Sequence, residues 1–297
     1  MATQSSVVIL AHRGDLAAVG LAIAMHRRGR CRVSLADEYD LVGARIVHRP
    51  RSGWLHADAG AAGDGSAGDL VELPDGTRIT PATDVVLCRI AALPAAAQSD
   101  PGRQAYANAE TNAWALSWLA GLGDAVVNRP SPLSLTGVEP DLLSLQRLAA
   151  AVGLATPDLR VAANAARSPV HPGFQPFDWP AAGIPRYYAT TPPLDTGPPL
   201  PRPLATGEPV RPMGRALVLG GDVLHAPAGL RDRIAALADA IGLTVCEVGL
   251  GQARSAAEPV VTGVSPVPRL TGPDQPAALA GYLQRRGHDR MLRGSAA

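Results

Sequence analysis

Val7-Val8-Ile9-Leu10-Ala11, then His12-Arg13-Gly14-Asp15, then an apolar-periodic run from Leu16 to about Arg28, read in order as a strand, a turn and a helix. Five apolar residues in a row, closed off by a turn, describe a strand buried on both faces, as in parallel sheets. Cys31–Leu35 is a second short apolar run. Its place after the helix is that of the next parallel strand in an α/β unit. The first quarter of the chain is therefore expected to fold as a parallel sheet with crossover helices.

Further along, Leu70-Val71-Glu72-Leu73, Pro74-Asp75-Gly76 and Thr77-Arg78-Ile79 predict a β-hairpin, because Asp-Gly accepts the positive φ angles of tight turns. Asp84–Arg89 predicts another strand. A helix is expected from about Gln104 to Leu122, with Tyr106, Ala109, Ala113, Leu116 and Leu119 on its inner face, and the strand Ala125–Asn128 after it. Trp114 and Trp118, one turn apart on that helix, are expected in the core. Another helix spans about Pro140 to Val152 and stops at Gly153. Asp58–Asp69 reads as a loop. From Ser168 to Pro212 prolines recur at short intervals, which suggests an irregular connector. Order returns with a hairpin, Ala216–Leu219 and Val223-Leu224 around Gly220-Gly221-Asp222. A helix follows to Ile241, then strands Thr244–Val248 and Pro259–Val264, and a helix from Gln275 to about Arg286.

Composition narrows the class. With 46% hydrophobic and 18% charged residues the chain can bury a core, so a disordered chain is excluded. A formal charge of +1 leaves no electrostatic footprint for nucleic acid or an anionic membrane. No apolar run reaches the roughly 20 residues that cross a bilayer, and the N-terminal run is too short for a signal-peptide core, so a cytoplasmic location is expected. Cys31, Cys88 and Cys246 lack the spacing of a zinc site and read as buried thiols. All 27 cationic residues other than histidine are arginine. No side-chain amine is available for clamping phosphate or forming a Schiff base.

Three segments carry a resemblance. The first is Asp84-Val85-Val86-Leu87-Cys88-Arg89, with Glu110 in a helix and Val126-Val127-Asn128-Arg129-Pro130 after it. The second is the helix Leu142–Leu154 with Thr156-Pro157. The third runs from Arg215 through the hairpin, helix and strands to Val264-Ser265-Pro266-Val267-Pro268. In this order they resemble the ATP-grasp family, in its peptide-modifying and glutamate-ligase-like branch. The resemblance implies an α/β chain with an N-terminal parallel-sheet, pre-ATP-grasp-like domain over residues 1–130. A reduced ATP-grasp-like α+β domain would follow over 131–297, with the proline-rich connector at 164–212.

The departures from that family carry the functional expectation. Two lysines hold the nucleotide phosphates in the family; the first matching position is about Leu142, and the second cannot exist in a lysine-free chain. The family's magnesium ligands are an Asp or Glu and a later Glu-x-Asn. The corresponding positions here are Gly249, Gly263 and Ser265. Magnesium requires hard oxygen ligands in near-octahedral geometry, and no carboxylate stands at these positions. The family's nucleotide lid should lie between Val161 and Arg215, where the sequence shows a connector without the alternating strands of a lid. The resemblance thus implies neither a bound metal nor a nucleotide cofactor.

Arg215 matches an arginine near the acyl phosphate or substrate carboxylate in the family, though an arginine at a strand end is also ordinary. Arg89 and Glu110 either line a substrate groove or pair with each other, and the pair is the favoured reading. His12-Arg13-Gly14-Asp15 stands where open α/β sheets place ligands, but it falls short of a glycine-rich fingerprint. Phe174, Phe177 and Trp179 cluster in the proline-rich stretch and are candidates either for a docking surface or for filling their own domain. The leading expectation is an inactive ATP-grasp-like protein that binds a peptide or protein partner, as an accessory subunit of an active ATP-grasp enzyme, with a homo-oligomer open. The competing readings are an active carboxylate–amine ligase using Arg215, Glu247 and Glu258, and a small-molecule binding protein using the first domain's strand ends.

Overall fold

The computed structural model describes residues 5–47, 70–80, 83–157, 159–162, 175–176, 204–207, 210–254 and 256–294. The chain divides into two compact units, Met1–Gly137 with Arg269–Ala297, and Val138–Pro268. The C-terminal helix, read from sequence as part of the second domain, thus joins the first unit. Among the described residues no helix is long and apolar enough to cross a membrane.

The first unit is organised by a parallel sheet of β1 (Ser5–Leu10), β2 (Cys31–Ala36), β6 (Val85–Cys88) and β7 (Val126–Val127), in the order β2-β1-β6-β7. Because side chains alternate along a strand, Val8, Leu10, Val86, Cys88 and Val126 share one face. They form a buried cluster with Ala115, Trp118 and Leu119 of α3 (Pro101–Gly121). The opposite face carries Val7, Ile9, Val85 and Leu87, and is covered by α1 (Leu16–Arg28) and α6 (Gln275–Gly294). Helix α6 lies so close that a Cβ on Gly287 would be 3.5 Å from both Ser5 and Val85. Burial of Leu279, Ala280 and Leu283 on that side explains why the terminal helix belongs to this unit.

Beside this sheet, a capping box at Asp37 starts the short α2 (Glu38–Val42). A three-stranded antiparallel sheet then forms from β3 (Arg45–Val47), β4 (Leu70–Glu72) and β5 (Arg78–Ile79). The hairpin expected at Asp75-Gly76 is present, with Gly76 at φ +81°. Helix α3 is also where expected, but its inner face differs. Tyr106, Ala109 and Ala113 are exposed, whereas Ala115, Trp118, Leu119 and Leu122 are buried. The reason is polar. Asn112 Oδ1 accepts a hydrogen bond from Leu93 N, and Asn108 Oδ1 accepts one from Ala95 N, so the loop after β6 docks on asparagines that a hydrophobic pattern does not register. Trp114 and Trp118 stack with centroids 5.6 Å apart.

The second unit is built on an antiparallel sheet, β12-β11-β13-β14, of β11 (Val210–Leu219), β12 (Asp222–Leu224), β13 (Val245–Ala253) and β14 (Val260–Ser265). On one face, Ala216, Val218, Cys246, Val248 and Val264 are buried with Leu145 of α4 (Leu142–Ala151) and Ile234 and Leu237 of α5 (Arg231–Ile241). Asp141 caps α4 by accepting from Leu143 N and Ser144 N.

One expectation is overturned. The interval read as a connector without strands contains β9 (Gln175–Pro176) and β10 (Leu204–Gly207), which pair antiparallel with β8 (Leu159–Ala162), just before it, in the order β8-β10-β9. Prolines do not preclude this arrangement. Pro176 sits on an edge strand, and Pro212 sits in β11 beside a register shift between Pro212 and Gly214, the two kinds of place where a strand tolerates a missing N–H. The loop Asp58–Asp69, and Trp54, lie outside the described residues.

Candidate functional site

At the carboxyl ends of the first sheet, Arg89 follows β6 and its backbone N–H donates to Leu10 O. Its guanidinium does not go to Glu110, which is exposed on α3; it goes to Asp15. Arg89 Nε donates to Asp15 Oδ2 at 2.8 Å, and Nη2 donates to Oδ1 at 3.2 Å. The same carboxylate caps α1 by accepting from Ala17 N and Ala18 N. Burial pushes the Asp15 carboxyl up, but the hydrogen bond and charge of Arg89 and the two backbone amides outweigh it and hold the group below its ordinary value. Next to this clasp, Glu38 accepts from Arg13 N at 2.8 Å and lies 3.6 Å from His12 Nδ1. Only 4% of the Arg89 side chain is exposed, so the strand ends are closed by a structural clasp instead of offering a free cation. Asp15 had a legible signal, an Asp directly before a helical run, but its second partner did not.

In the second unit the relevant surface is the sheet face away from α4 and α5. Directly opposed residues in antiparallel strands point the same way. The register pairs Arg215 with Gly249, Leu217 with Glu247, Glu247 with Ser265 and Gly249 with Gly263. Arg215, Glu247, Gly249, Gly263 and Ser265 therefore share this face. Three of these, Gly249, Gly263 and Ser265, are the positions that the sequence resemblance sets against the family's magnesium ligands, and the fold brings them to one face. Arg215 Nη1 donates to Glu247 Oε1 at 2.7 Å, with side-chain exposures of 26% and 6%. Ser265 Oγ donates to Val267 O and accepts from Val267 N.

Thr262, which the sequence did not single out, decides the shape of this face. The strands shift register between Gly249 and Leu250, and Thr262 falls at the irregularity. A Cβ on Gly249 would lie 2.6 Å from Thr262 Oγ1. The room for a side chain at Gly249 is filled from across the strand.

Magnesium, which the resembling family holds at these positions, does not fit the residues present. Two of the three positions are glycines, the serine hydroxyl is satisfied by Val267, and the neighbouring carboxylate is held by Arg215. Glu258 does not supplement them. It pairs with Arg233 of α5 at 3.0 Å and lies beyond the Gly251–Val260 pair, while Glu247 is four residues from that pair. Among the described residues no group of three or more His, Cys, Asp or Glu could hold a metal ion. Phe174, Phe177 and Trp179 lie outside the described residues.

The two units together have the ATP-grasp ligase fold. Among solved structures, the ligase PsnB with a phosphomimetic variant of its minimal precursor, magnesium and ADP superposes with a TM-score of 0.66 at 14% identity, covering 97% of this chain and 99% of that one. The macrocyclase MdnC from Microcystis aeruginosa MRC, bound to precursor peptide MdnA, gives 0.65 at 12% identity, covering 94% and 99%. A RiPP-associated ATP-grasp ligase from Chryseobacterium gregarium, in complex with ADP and a leader and core peptide, gives 0.56 at 13% identity, covering 99% and 98%. At these identities the likeness is one of fold. No family model matches the sequence, and no curated protein matches it.

Proposed function

We propose that this chain is an ATP-grasp-like protein that has lost ATP-dependent chemistry and binds a peptide or protein partner, serving an active peptide-modifying enzyme as an accessory subunit. The observation that carries this reading is the shared face of Gly249, Gly263 and Ser265. Where the resembling family assembles carboxylate and amide oxygens, this chain presents two glycines and a serine engaged with its own loop, and Thr262 fills the space beside Gly249. The absence of lysine removes the family's phosphate clamps as well.

A peptide or protein partner is supported by the structural neighbours, since PsnB and MdnC were each captured with a precursor peptide. Arg215 on the sheet face and the aromatic segment Phe174, Phe177 and Trp179 are the proposed contact residues. The competing ligase reading requires Arg215, Glu247 and Glu258 to act together, and the pairing of Glu258 with Arg233 instead speaks against it.

The test is calorimetry and thermal unfolding with magnesium and ATP. A ligand stabilises a protein in proportion to its occupancy of the native state, so the melting temperature is expected to stay unchanged at millimolar magnesium-ATP. A rise of several degrees that EDTA abolishes would overturn the proposal.

A further inference from the structure

Helix α6 crosses the amino-terminal end of the first sheet. A Cβ on its Gly287 would lie 3.5 Å from Ser5, the first residue of β1, and 3.5 Å from Val85, the first residue of β6. Its Gln284 Nε2 donates to Cys31 Sγ, at the start of β2, at 3.5 Å. Helix α1 runs back to this same end, so its last turn brings Arg27 and Arg28 there, and Arg30 and Arg32 flank Cys31. Arginines from opposite ends of the sequence are thus gathered on one end of one sheet.

Over Gly281 two of these cations converge. The place that a Gly281 Cβ would take is 3.0 Å from Arg28 Nη1 and 3.6 Å from Arg285 Nη1. Guanidiniums so near each other repel. Arg27, Arg28, Arg30, Arg32 and Arg285 make no ion pair or hydrogen bond among the described residues. The carboxylates of this end are engaged elsewhere or out of reach. Asp84 accepts from Ser6 N at 2.7 Å, and Asp124 accepts from Arg129 Nη2 at 2.9 Å. Asp289, one turn after Arg285, forms no ion pair with it. Cations in the last turn of α1 complement its dipole, but Arg285 stands in the middle of α6 and has no such reason.

Gly281 is a second observation. A glycine inside a helix is less stable than alanine. This one is buried, and a Cβ there would press on Arg28 Nη1, so the glycine leaves Arg28 room to lie across α6 beside Arg285. A carboxylate between the two nitrogens would accept from both at about 2.8 Å, turning repulsion into two charge-assisted hydrogen bonds. Arg27, Arg30 and Arg32 would meet the carboxylates that follow it in the same polypeptide. A duplex or a bilayer draws on charge spread over a wide face. With a formal charge of +1 on the whole chain, this confined excess fits a short acidic segment instead.

From the convergence of Arg28 and Arg285 over Gly281, and the unpaired arginines around them, we infer that this end of the first unit docks an acidic segment of polypeptide, with one carboxylate shared by Arg28 and Arg285. The inference rests on the reading that the partner is a peptide or protein, and it adds a surface apart from Arg215 and the aromatic segment.

Fluorescence anisotropy on the full chain with labelled hexaglutamate tests this. No magnesium or ATP is present, so failure here leaves the proposed loss of ATP-dependent chemistry standing. Binding that weakens as salt rises is expected. Arg28→Gln and Arg285→Gln should each raise the dissociation constant about fivefold or more, and the double variant should do little worse than either, because the two share one carboxylate. Both side chains are exposed, so the melting temperature should not change. Gly281→Ala should weaken binding while raising the melting temperature, a pairing that a glycine serving only α6 would not give. Arg103→Gln, on the exposed surface of α3, should leave binding unchanged. No binding of hexaglutamate, an equal loss with Arg103→Gln, or tighter binding of oligothymidylate or of phosphatidylserine vesicles than of the peptide overturns the inference.

Discussion

Arg89 Nε donates a 2.8 Å hydrogen bond to Asp15 Oδ2, tying the end of β6 to the first turn of α1 across 74 residues of sequence. One carboxylate thus receives a guanidinium and two backbone amides, those of Ala17 and Ala18. Two elements that begin independent secondary structures are locked in register by a single side chain.

Asp15→Ala should therefore cost on the order of 3 kcal/mol, more than the roughly 1 kcal/mol of a helix cap alone, because the buried Arg89 loses its carboxylate. The pH dependence has a definite sign. With its folded pKa depressed, Asp15 contributes stability that is complete above its unfolded value and is lost as pH falls through the lower folded value. In urea unfolding, the gap between the wild type and Asp15→Asn should be constant near neutral pH and shrink below about pH 4. A gap unchanged down to strong acid would count against the clasp.

Restoring ligand residues should not restore metal binding. Gly249→Asp with Gly263→Glu is expected to show no magnesium-dependent rise in melting temperature, because Thr262 Oγ1 occupies the room that the new side chain needs. Gly249→Ala alone should destabilise by about 1–3 kcal/mol through overpacking, and Thr262→Ala should relieve most of that in the double variant. Additive effects of the two substitutions would show that Thr262 does not fill the site.

The cysteines should be inert in the native state. Burial pushes the thiols of Cys88 and Cys246 up to about 12, and burial also raises Cys31. Since the thiolate is the reactive form, mass spectrometry after iodoacetamide should find Cys88 and Cys246 unmodified until denaturant is added. Ready alkylation of either in the folded protein would contradict their burial.

The aromatic segment separates two readings of its role. If Phe177 and Trp179 anchor the proposed partner, Trp179→Ala and Phe177→Ala should each weaken binding by roughly 2 kcal/mol or more, with little change in melting temperature. If they fill their own domain, the same substitutions should destabilise the fold by roughly 3–5 kcal/mol. Titration calorimetry with the partner, alongside thermal unfolding, distinguishes the two.

Much of the fold was legible because its elements are locally coded. The run Val7–Ala11, the turn His12–Asp15 that opens α1 and the periodicity of Leu230, Ile234, Leu237 and Ile241 each state their structure within a few residues, and each is found where expected. The interval with β9 and β10 was misread because proline density was taken as a veto on strands, whereas edges and register shifts admit it. The inner face of α3 was misread because half-buried Asn108 and Asn112 dock the following loop by hydrogen bonding, which a hydrophobic pattern cannot display.

The candidate site divides in the same way. The absence of lysine, and the two glycines and the serine that the resemblance sets against metal ligands at Gly249, Gly263 and Ser265, stand in the sequence alone. That these three share one sheet face, that Glu247 is engaged by Arg215, that Thr262 fills the space beside Gly249 and that Arg89 belongs to Asp15 were decided only by tertiary structure. Local propensity acts over a few bonded residues and is written in order along the chain. The partner of a buried charge is chosen by whichever oppositely charged group the packing of distant elements brings within hydrogen-bonding distance.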